Sequence, residues 1–203
     1  MDYRIKKHPE KYLLDFGTHF GEGLDRILRL EKCQHDMEVH SFEANPYTFK
    51  KNTFKPDVNY YNLGISDKTG FYYFNCAKEN EGEPTGGGST LMDLSVWDDK
   101  DIYKKGVTHT YEEVQVFCLS AVDLLDRLLP NKTEKSIVAK FDIEGAEYPI
   151  FNLLLETDNL KWFSKIYVEF HEYCFKEGVP FQGESGFWMD IFKSNGIEGV
   201  VWR

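Results

Sequence analysis

Long apolar stretches are missing from this 203-residue chain. No segment approaches the roughly 20 residues that a membrane-crossing helix needs. The start, MDYRIKKHPEKY, lacks the apolar core of a secretory leader. Basic clusters are missing too. Acidic side chains outnumber basic ones, 34 to 24, for a net charge of −10. Lys and Arg gather only in pairs such as Lys6-Lys7 and Lys104-Lys105. Duplex nucleic acid and anionic membrane surfaces both demand a basic face, so neither is expected as a partner. The four cysteines (Cys33, Cys76, Cys118 and Cys174) form no C-x-x-C pair. That removes zinc-ribbon and disulfide-framework classes and leaves reduced thiols in a cytoplasm-like compartment as the expectation.

Aromatic residues, by contrast, are plentiful, with 16 Phe, 12 Tyr and 4 Trp. Such rings fill cores, and they also line clefts for sugars or nucleobases. The length suits one α/β domain over residues 1–203, with no internal repeat. Short apolar runs alternate with amphipathic segments. Tyr12 to Phe16 reads as a buried strand, and Leu24, Ile27, Leu28 and Met37 then follow helical spacing. Val39 to Phe42 is a second strand, Pro46 opens a helix over Tyr47 to Phe54, and Val58 to Leu63 is a third strand. This βαβαβ opening predicts a Rossmann-like, mostly parallel twisted sheet flanked by helices.

An antiparallel insertion is expected around 71–119, from Phe71–Phe74 and Val114–Leu119. Between them, 75–111 loses its period, and Glu79 to Gly88 is rich in turn residues and acid. Ser120, with Asp123 three residues on, predicts a helix start before Leu124 to Leu129. Further strands follow at Ile137–Ile143, Ile166–Phe170 and Ile197–Trp202. The intervening helices are expected at Ala146–Leu155 and Gly186–Ser194.

The segment from Asp15 through Gly17, Thr18 and Gly21 to Gly23 leaves a strand and enters a helix. Glycine there lets the backbone turn sharply and approach a ligand, toward which helix-start amides point. Its spacing is G-x-x-x-G-x-G, not the G-x-G-x-x-G of dinucleotide enzymes. Glu43 closes the second strand about 20 residues further on, where nucleotide-binding folds place the acid that accepts the ribose hydroxyls. With no Lys or Arg near the turn to meet a pyrophosphate, an adenosyl ligand such as S-adenosylmethionine fits best.

The order of motifs resembles the FkbM-type methyltransferases, a class I family that uses S-adenosylmethionine. The matching stretches are LLDFGTHFGEG (Leu13 to Gly23), VHSFEANP (Val39 to Pro46) and NLGISDKTG (Asn62 to Gly70). GGGSTL (Gly86 to Leu91), VFCLSAVDLL (Val116 to Leu125) and KFDIEGAEYPIF (Lys140 to Phe151) continue the series. The resemblance implies that Asp15, Gly17, Thr18 and Gly21 shape the methionine pocket. It implies that Glu43, with Asn45 beside it, holds the ribose, and that Asn62, Gly64 and Ser66 lie along the adenine. It also implies a sugar or glycan hydroxyl as acceptor. Little chain precedes the glycine strand and one strand ends the sequence. A trimmed fold is one expectation, and a module of a larger polypeptide working with a glycosyltransferase is the other.

Asp142 and Glu144 flank Ile143 at a strand's carboxyl end, where open α/β sheets bind ligands. If strand pairing runs through Ile143, both carboxylates share a face. Methyl transfer to a hydroxyl needs an aligned oxygen and a base. Either acid fits the base, the other orienting the acceptor or the sulfonium. His171, past the next strand, is an alternative base or a polar strand end. Glu147 reads equally as an acceptor contact or as a helix-start acid. Asp142, Glu169 and His171 could instead gather a divalent ion. Ser89, Thr90, Glu147 and Glu169 are candidate acceptor contacts. Trp97, Tyr103, His109 and Tyr111 either close over the acceptor or belong to a surface loop without a role. An amine- or carboxyl-directed methyltransferase shares the cofactor features, but the amine motif N-P-P-Y is absent. A non-catalytic adenosyl binder would have no use for the paired acids.

Overall fold

The computed structural model describes residues 11–32, 37–79, 84, 87–96, 109–176 and 184–202. A six-stranded sheet forms its centre. In chain order its strands are β1 (Lys11–Phe16), β2 (Met37–Phe42), β3 (Val58–Tyr61), β7 (Ile137–Phe141), β8 (Phe163–Val168) and β9 (Glu198–Val201). They lie side by side as β3-β2-β1-β7-β8-β9, and every pairing is parallel. A parallel sheet covered on both faces wants apolar residues at successive positions. Tyr12, Leu13, Leu14, Asp15 and Phe16 are accordingly all buried.

Helix α1 (Glu22–Leu30) covers one face, where Leu24 and Ile27 pack with Leu13, Val39, Val138 and Trp202. Helices α3 (Ala121–Leu128), α4 (Glu147–Glu156) and α5 (Ser185–Ser194) cover the other. Leu124, Phe151, Trp188 and Phe192 pack there against Leu14, Phe16 and Phe141. Ser120 starts α3 by accepting the Asp123 N–H at 3.0 Å, as the spacing predicts. Asn45 likewise caps the short helix α2 (Pro46–Lys51). No described helix is long and apolar enough to cross a membrane.

The insertion is a second sheet, ordered β4-β6-β5. It comprises β4 (Gly64–Ser66), β5 (Gly70–Glu79) and β6 (His109–Ser120), with β5 and β6 antiparallel. Several boundaries differ from the sequence reading. Met37 begins β2 and does not extend α1. The third strand stops at Tyr61, because the chain then crosses to pair Gly64–Ser66 with β6 in the smaller sheet. The β5–β6 ladder also runs further into 75–111 than the lost period suggests. Only one of its faces needs apolar cover, supplied by Phe74, Cys76 and Val116, so its polar half hides the strand signal. Cys33, Gly86, Trp97, Tyr103 and most of the acidic 79–88 stretch lie outside the described residues.

Chain order changes direction between β1 and β7. From β1 the chain winds outward through β2 and β3, and it later returns to wind the other way from β7. In open α/β sheets the crevice at such a switch point, beyond the carboxyl ends of the strands, is where ligands bind.

Candidate active site

A cavity of about 260 Å³ lies at that switch point. Gly17, Glu43 and Asn45 wall it from the β1 and β2 ends, and Asp142, Ile143, Glu144 and Glu169 from the β7 and β8 ends. Leu63, Gly64, Ile65, Phe74 and Leu91 supply apolar surface between them.

On the first side the backbone sets the shape. Gly17 has φ of 80°, and a Cβ added there would fall 1.8 Å from the Asp142 carbonyl oxygen. Only glycine brings the β1 turn that close to the end of β7. Thr18, buried beside it, bonds Ser41 and the Phe42 carbonyl. Gly21, at φ of 95°, caps α1. Glu43 accepts the backbone N–H of His19 on one oxygen and of Asn45 on the other, both at 2.8 Å. Burial pushes its carboxyl pKa up, while those two donors pull it down. Asn45 spends its Oδ1 on the α2 amides, and its Nδ2 donates to the Pro84 carbonyl and the Ser89 hydroxyl.

The remaining cofactor candidates are placed differently. Asp15 is fully buried beneath the turn, accepts the Ser41 hydroxyl at 3.1 Å and is not part of this cavity's wall. Asn62 donates to the Glu43 carbonyl at 2.8 Å, bracing the loop rather than lining the cavity. Gly64 does line it, and a Cβ there would meet Cys118 Sγ at 2.6 Å. Ser66 bonds Asp67 and lies outside.

On the second side, charged side chains set the geometry. Strand β7 ends at Phe141, so Asp142 and Glu144 do not share a strand face as the sequence pattern suggested. They converge by another route. Glu144 and Gly145 are both left-handed, at φ of 53° and 97°. Glu144, a non-glycine, pays roughly 1–2 kcal/mol for that conformation. Glu147 locks the bend from below, accepting the Ile143 N–H at 2.9 Å and the Gly145 N–H at 2.8 Å. It is fully buried at the start of α4 and does not line the cavity. Thr90 also lies under the bend, donating its hydroxyl to the Glu144 carbonyl at 2.6 Å. Ser89 lines the cavity, and its oxygen accepts the Ala77 N–H at 2.9 Å. Tyr111 lies in β6, away from the cavity, and His109 is described only as part of that strand's backbone.

His171 sits 2% exposed between two carboxylates, with Nδ1 2.9 Å from Glu147 and Nε2 3.3 Å from Glu144. Burial opposes its charge, but Glu144 and then Glu147 outweigh burial and raise its pKa well above the ordinary value. Asp142, Glu144 and His171 each bring one potential ligand atom within 4.8 Å of the others, and Glu169 is not among that set.

Lys140 is the residue that sequence reading passed over. Its ammonium lies 2.7 Å from the Gly17 carbonyl, 3.1 Å from Asp142 and 3.4 Å from Asp15, and is 1% exposed. The available signal was a lysine inside the apolar strand IVAKF, since buried lysines are rare unless paired. Glu169 differs from its neighbours. Among the described residues no hydrogen bond or ion pair holds its carboxylate, and its pKa is raised by burial first and by Asp142 second. Burial pushes the thiols of Cys76 and Cys118 up to about 12, so neither is a nucleophile at neutral pH.

A second cavity of about 300 Å³ lies on the α1 side of the same turn, lined by Thr18, Glu22, Gly23, Arg26, Lys140 and Trp202, so a lysine and an arginine do stand beside the turn where the linear sequence suggests none. It shares Gly17, His19 and Asp142 with the first.

Residues 15–197 match the family model described as a methyltransferase FkbM domain. Neither a curated protein nor a solved structure matches the chain.

Proposed function

The chain belongs to the FkbM methyltransferase family, and from that premise we propose that it transfers the methyl group of S-adenosylmethionine to a hydroxyl of a sugar or glycan. One observation carries this reading. Gly17 and Glu43 face Asp142, Glu144 and Glu169 across a single cavity at the sheet's switch point. The Gly17 and Glu43 side suits the adenosyl group. Glu43 spends one lone-pair direction of each oxygen on backbone N–H groups, and its remaining acceptor capacity suits the ribose hydroxyls. Leu63, Ile65 and Phe74 are apolar enough to sandwich a flat base. The acidic side suits both the positive sulfonium and a polyol, whose hydroxyls would donate to carboxylates.

When bound, S-adenosylmethionine would supply an electrophilic methyl group for in-line attack by the acceptor oxygen, its C–S bond electrons staying on sulfur so that S-adenosylhomocysteine is released. The acceptor's proton must go to a base. Asp142 is held by the Lys140 ammonium and Glu144 by His171, whose raised pKa favours the cation. Each therefore already has a positive partner competing for its oxygen lone pairs. Glu169 has no such partner among the described residues, lines the cavity and has its pKa raised toward neutrality, the direction that suits a general base. We therefore assign the proton to Glu169, with Asp142 and Glu144 accepting hydrogen bonds that orient the acceptor. The free thiols of Cys76, Cys118 and Cys174 support a reducing, cytoplasmic setting.

The test is calorimetry with S-adenosylhomocysteine, followed by screening of monosaccharides and oligosaccharides for a methyl mass gain. Saturable binding and methylation of at least one neutral sugar are expected. Absence of any affinity for S-adenosylhomocysteine would sink the proposal.

A further inference from the structure

On the reading above Glu144 orients the acceptor, so whatever fixes its direction bears on turnover. Glu144 is left-handed, at φ of 53°, and so is Gly145 after it, at 97°. The peptide unit joining them is planar and turns as one body. Both of its polar ends are held. The Gly145 N–H donates to Glu147 at 2.8 Å, and the Glu144 carbonyl accepts the Thr90 hydroxyl at 2.6 Å. Glu147 belongs to the helix that follows the bend, whereas Thr90 lies 54 positions earlier in the chain.

Thr90 is itself well anchored. It is fully buried and is not part of the first cavity's wall, although Ser89 and Leu91 on either side of it are. Its backbone pairs with Asn75 in both directions, at 2.9 and 3.0 Å, which fixes it on the edge of β5. Its oxygen accepts the Met92 N–H at 3.0 Å, and its proton goes to Glu144. Asn75 holds the same segment again, donating Nδ2 to the Met92 carbonyl at 3.0 Å. Further along, the Lys176 ammonium donates to the Leu94 and Ser95 carbonyls at 2.8 and 3.0 Å. Ser89 to Ser95 is therefore a strap fastened along its length, and Thr90 is its tie to the acidic bend. One residue earlier, Ser89 accepts a bond from Asn45 at 3.3 Å on the opposite wall.

We propose that Thr90 is a positioning residue: its hydroxyl holds the Glu144–Gly145 peptide and thereby sets where the Glu144 carboxylate meets the acceptor. The proposal rests on the methyltransferase reading for its effect on turnover. It replaces the direct acceptor contact expected of Thr90 from the sequence with action through Glu144. A misplacement of about 1 Å from such a source is enough to cost about 10²-fold in rate.

Thr90→Val removes the hydroxyl at nearly constant volume, and Thr90→Ser keeps it. Both are compared with the wild type by amide hydrogen exchange and by methyl transfer to the neutral sugar that the wild type methylates fastest. In Thr90→Val the Gly145 N–H should exchange about tenfold faster, beyond any change at Leu13 and Leu14 of β1, which report opening of the whole fold. Its kcat should fall about tenfold or more, with S-adenosylhomocysteine affinity within about twofold. Thr90→Ser should bring exchange and kcat back to within about threefold of the wild type. In a Glu144→Ala background, adding Thr90→Val should cost less than about twofold in kcat, because the route to the acceptor is already gone. A residue that touched the acceptor, or that only held up the fold, would cost as much there as in the wild type. Thr90→Ala, which also lacks the hydroxyl, gives the same comparisons if valine does not fold. A Gly145 gain no larger than that of β1 overturns the proposal without any acceptor, and so does a full cost in the Glu144→Ala background. A wild-type protein without affinity for S-adenosylhomocysteine refutes the methyltransferase reading, an outcome distinct from both.

Discussion

The two sides of the crevice reach their geometry by different means. Around Gly17 and Glu43, main-chain atoms do the positioning. The turn has room only for a glycine, and each Glu43 oxygen is held by a backbone N–H. Around Asp142, Glu144 and Glu169, buried ions do it: Lys140 grips Asp142, while Glu147 and Glu144 grip His171. A wall built of backbone resists side-chain exchange except at its glycine. A wall built of ion pairs is sensitive at every member and to pH. Ligand retention and turnover should therefore separate by side.

The largest break in that comparison is expected at Gly17. Gly17→Ala puts a methyl group into the Asp142 carbonyl at a left-handed residue, and should cost about 3 kcal/mol or more. Thermal unfolding should show the loss, and S-adenosylhomocysteine binding should vanish. An alanine variant that binds normally would mean the turn opens in solution. Next comes Glu169→Gln, which should lower turnover by about 10²–10⁴-fold, as removal of a general base does, with S-adenosylhomocysteine affinity unchanged. If Glu144→Gln shows that fall and Glu169→Gln does not, the base lies one element away. Stopped-time methylation assays beside calorimetry separate the two.

The smallest effect concerns His171. Its folded-state pKa stands above its unfolded one, so the stability it supplies is complete below about pH 6.5 and is lost as pH rises through the raised value. His171→Gln should lower stability at neutral pH by about 2 kcal/mol and flatten the decline on the alkaline side. Denaturant titrations across that window check this. An unchanged alkaline slope would mean that His171 carries no proton there.

The sequence made one side far more legible than the other. Gly17 and Glu43 stand at strand ends with a spacing that nucleotide folds dictate, and both line the cavity. The parallel sheet followed from apolar runs separated by helical periods. The acids at 142, 144 and 169 were visible as residues, but the division of labour proposed for them was not. That division depends on which cation faces which carboxylate, and Lys140 and His171 reach their partners across strands. No linear spacing encodes such contacts. Glu147 left two readings open for a related reason. A helix-start acid looks the same in sequence whether it points to solvent or folds back under a bend, and only burial against Ile143 and Gly145 decides. The strand Gly64–Ser66 was hidden because its partner is more than fifty positions away in the chain.

Lys140 has a consequence for how such a protein can change. One ammonium ties the Gly17 carbonyl to the Asp142 carboxylate. The surfaces proposed for cofactor and acceptor would thus be mechanically joined at one buried charge. On the proposed reading, adaptation to a new acceptor by way of Asp142 would disturb the cofactor's seat as well, so divergence should be easiest at Glu144 and the loop around Ser89, to which that lysine makes no bond.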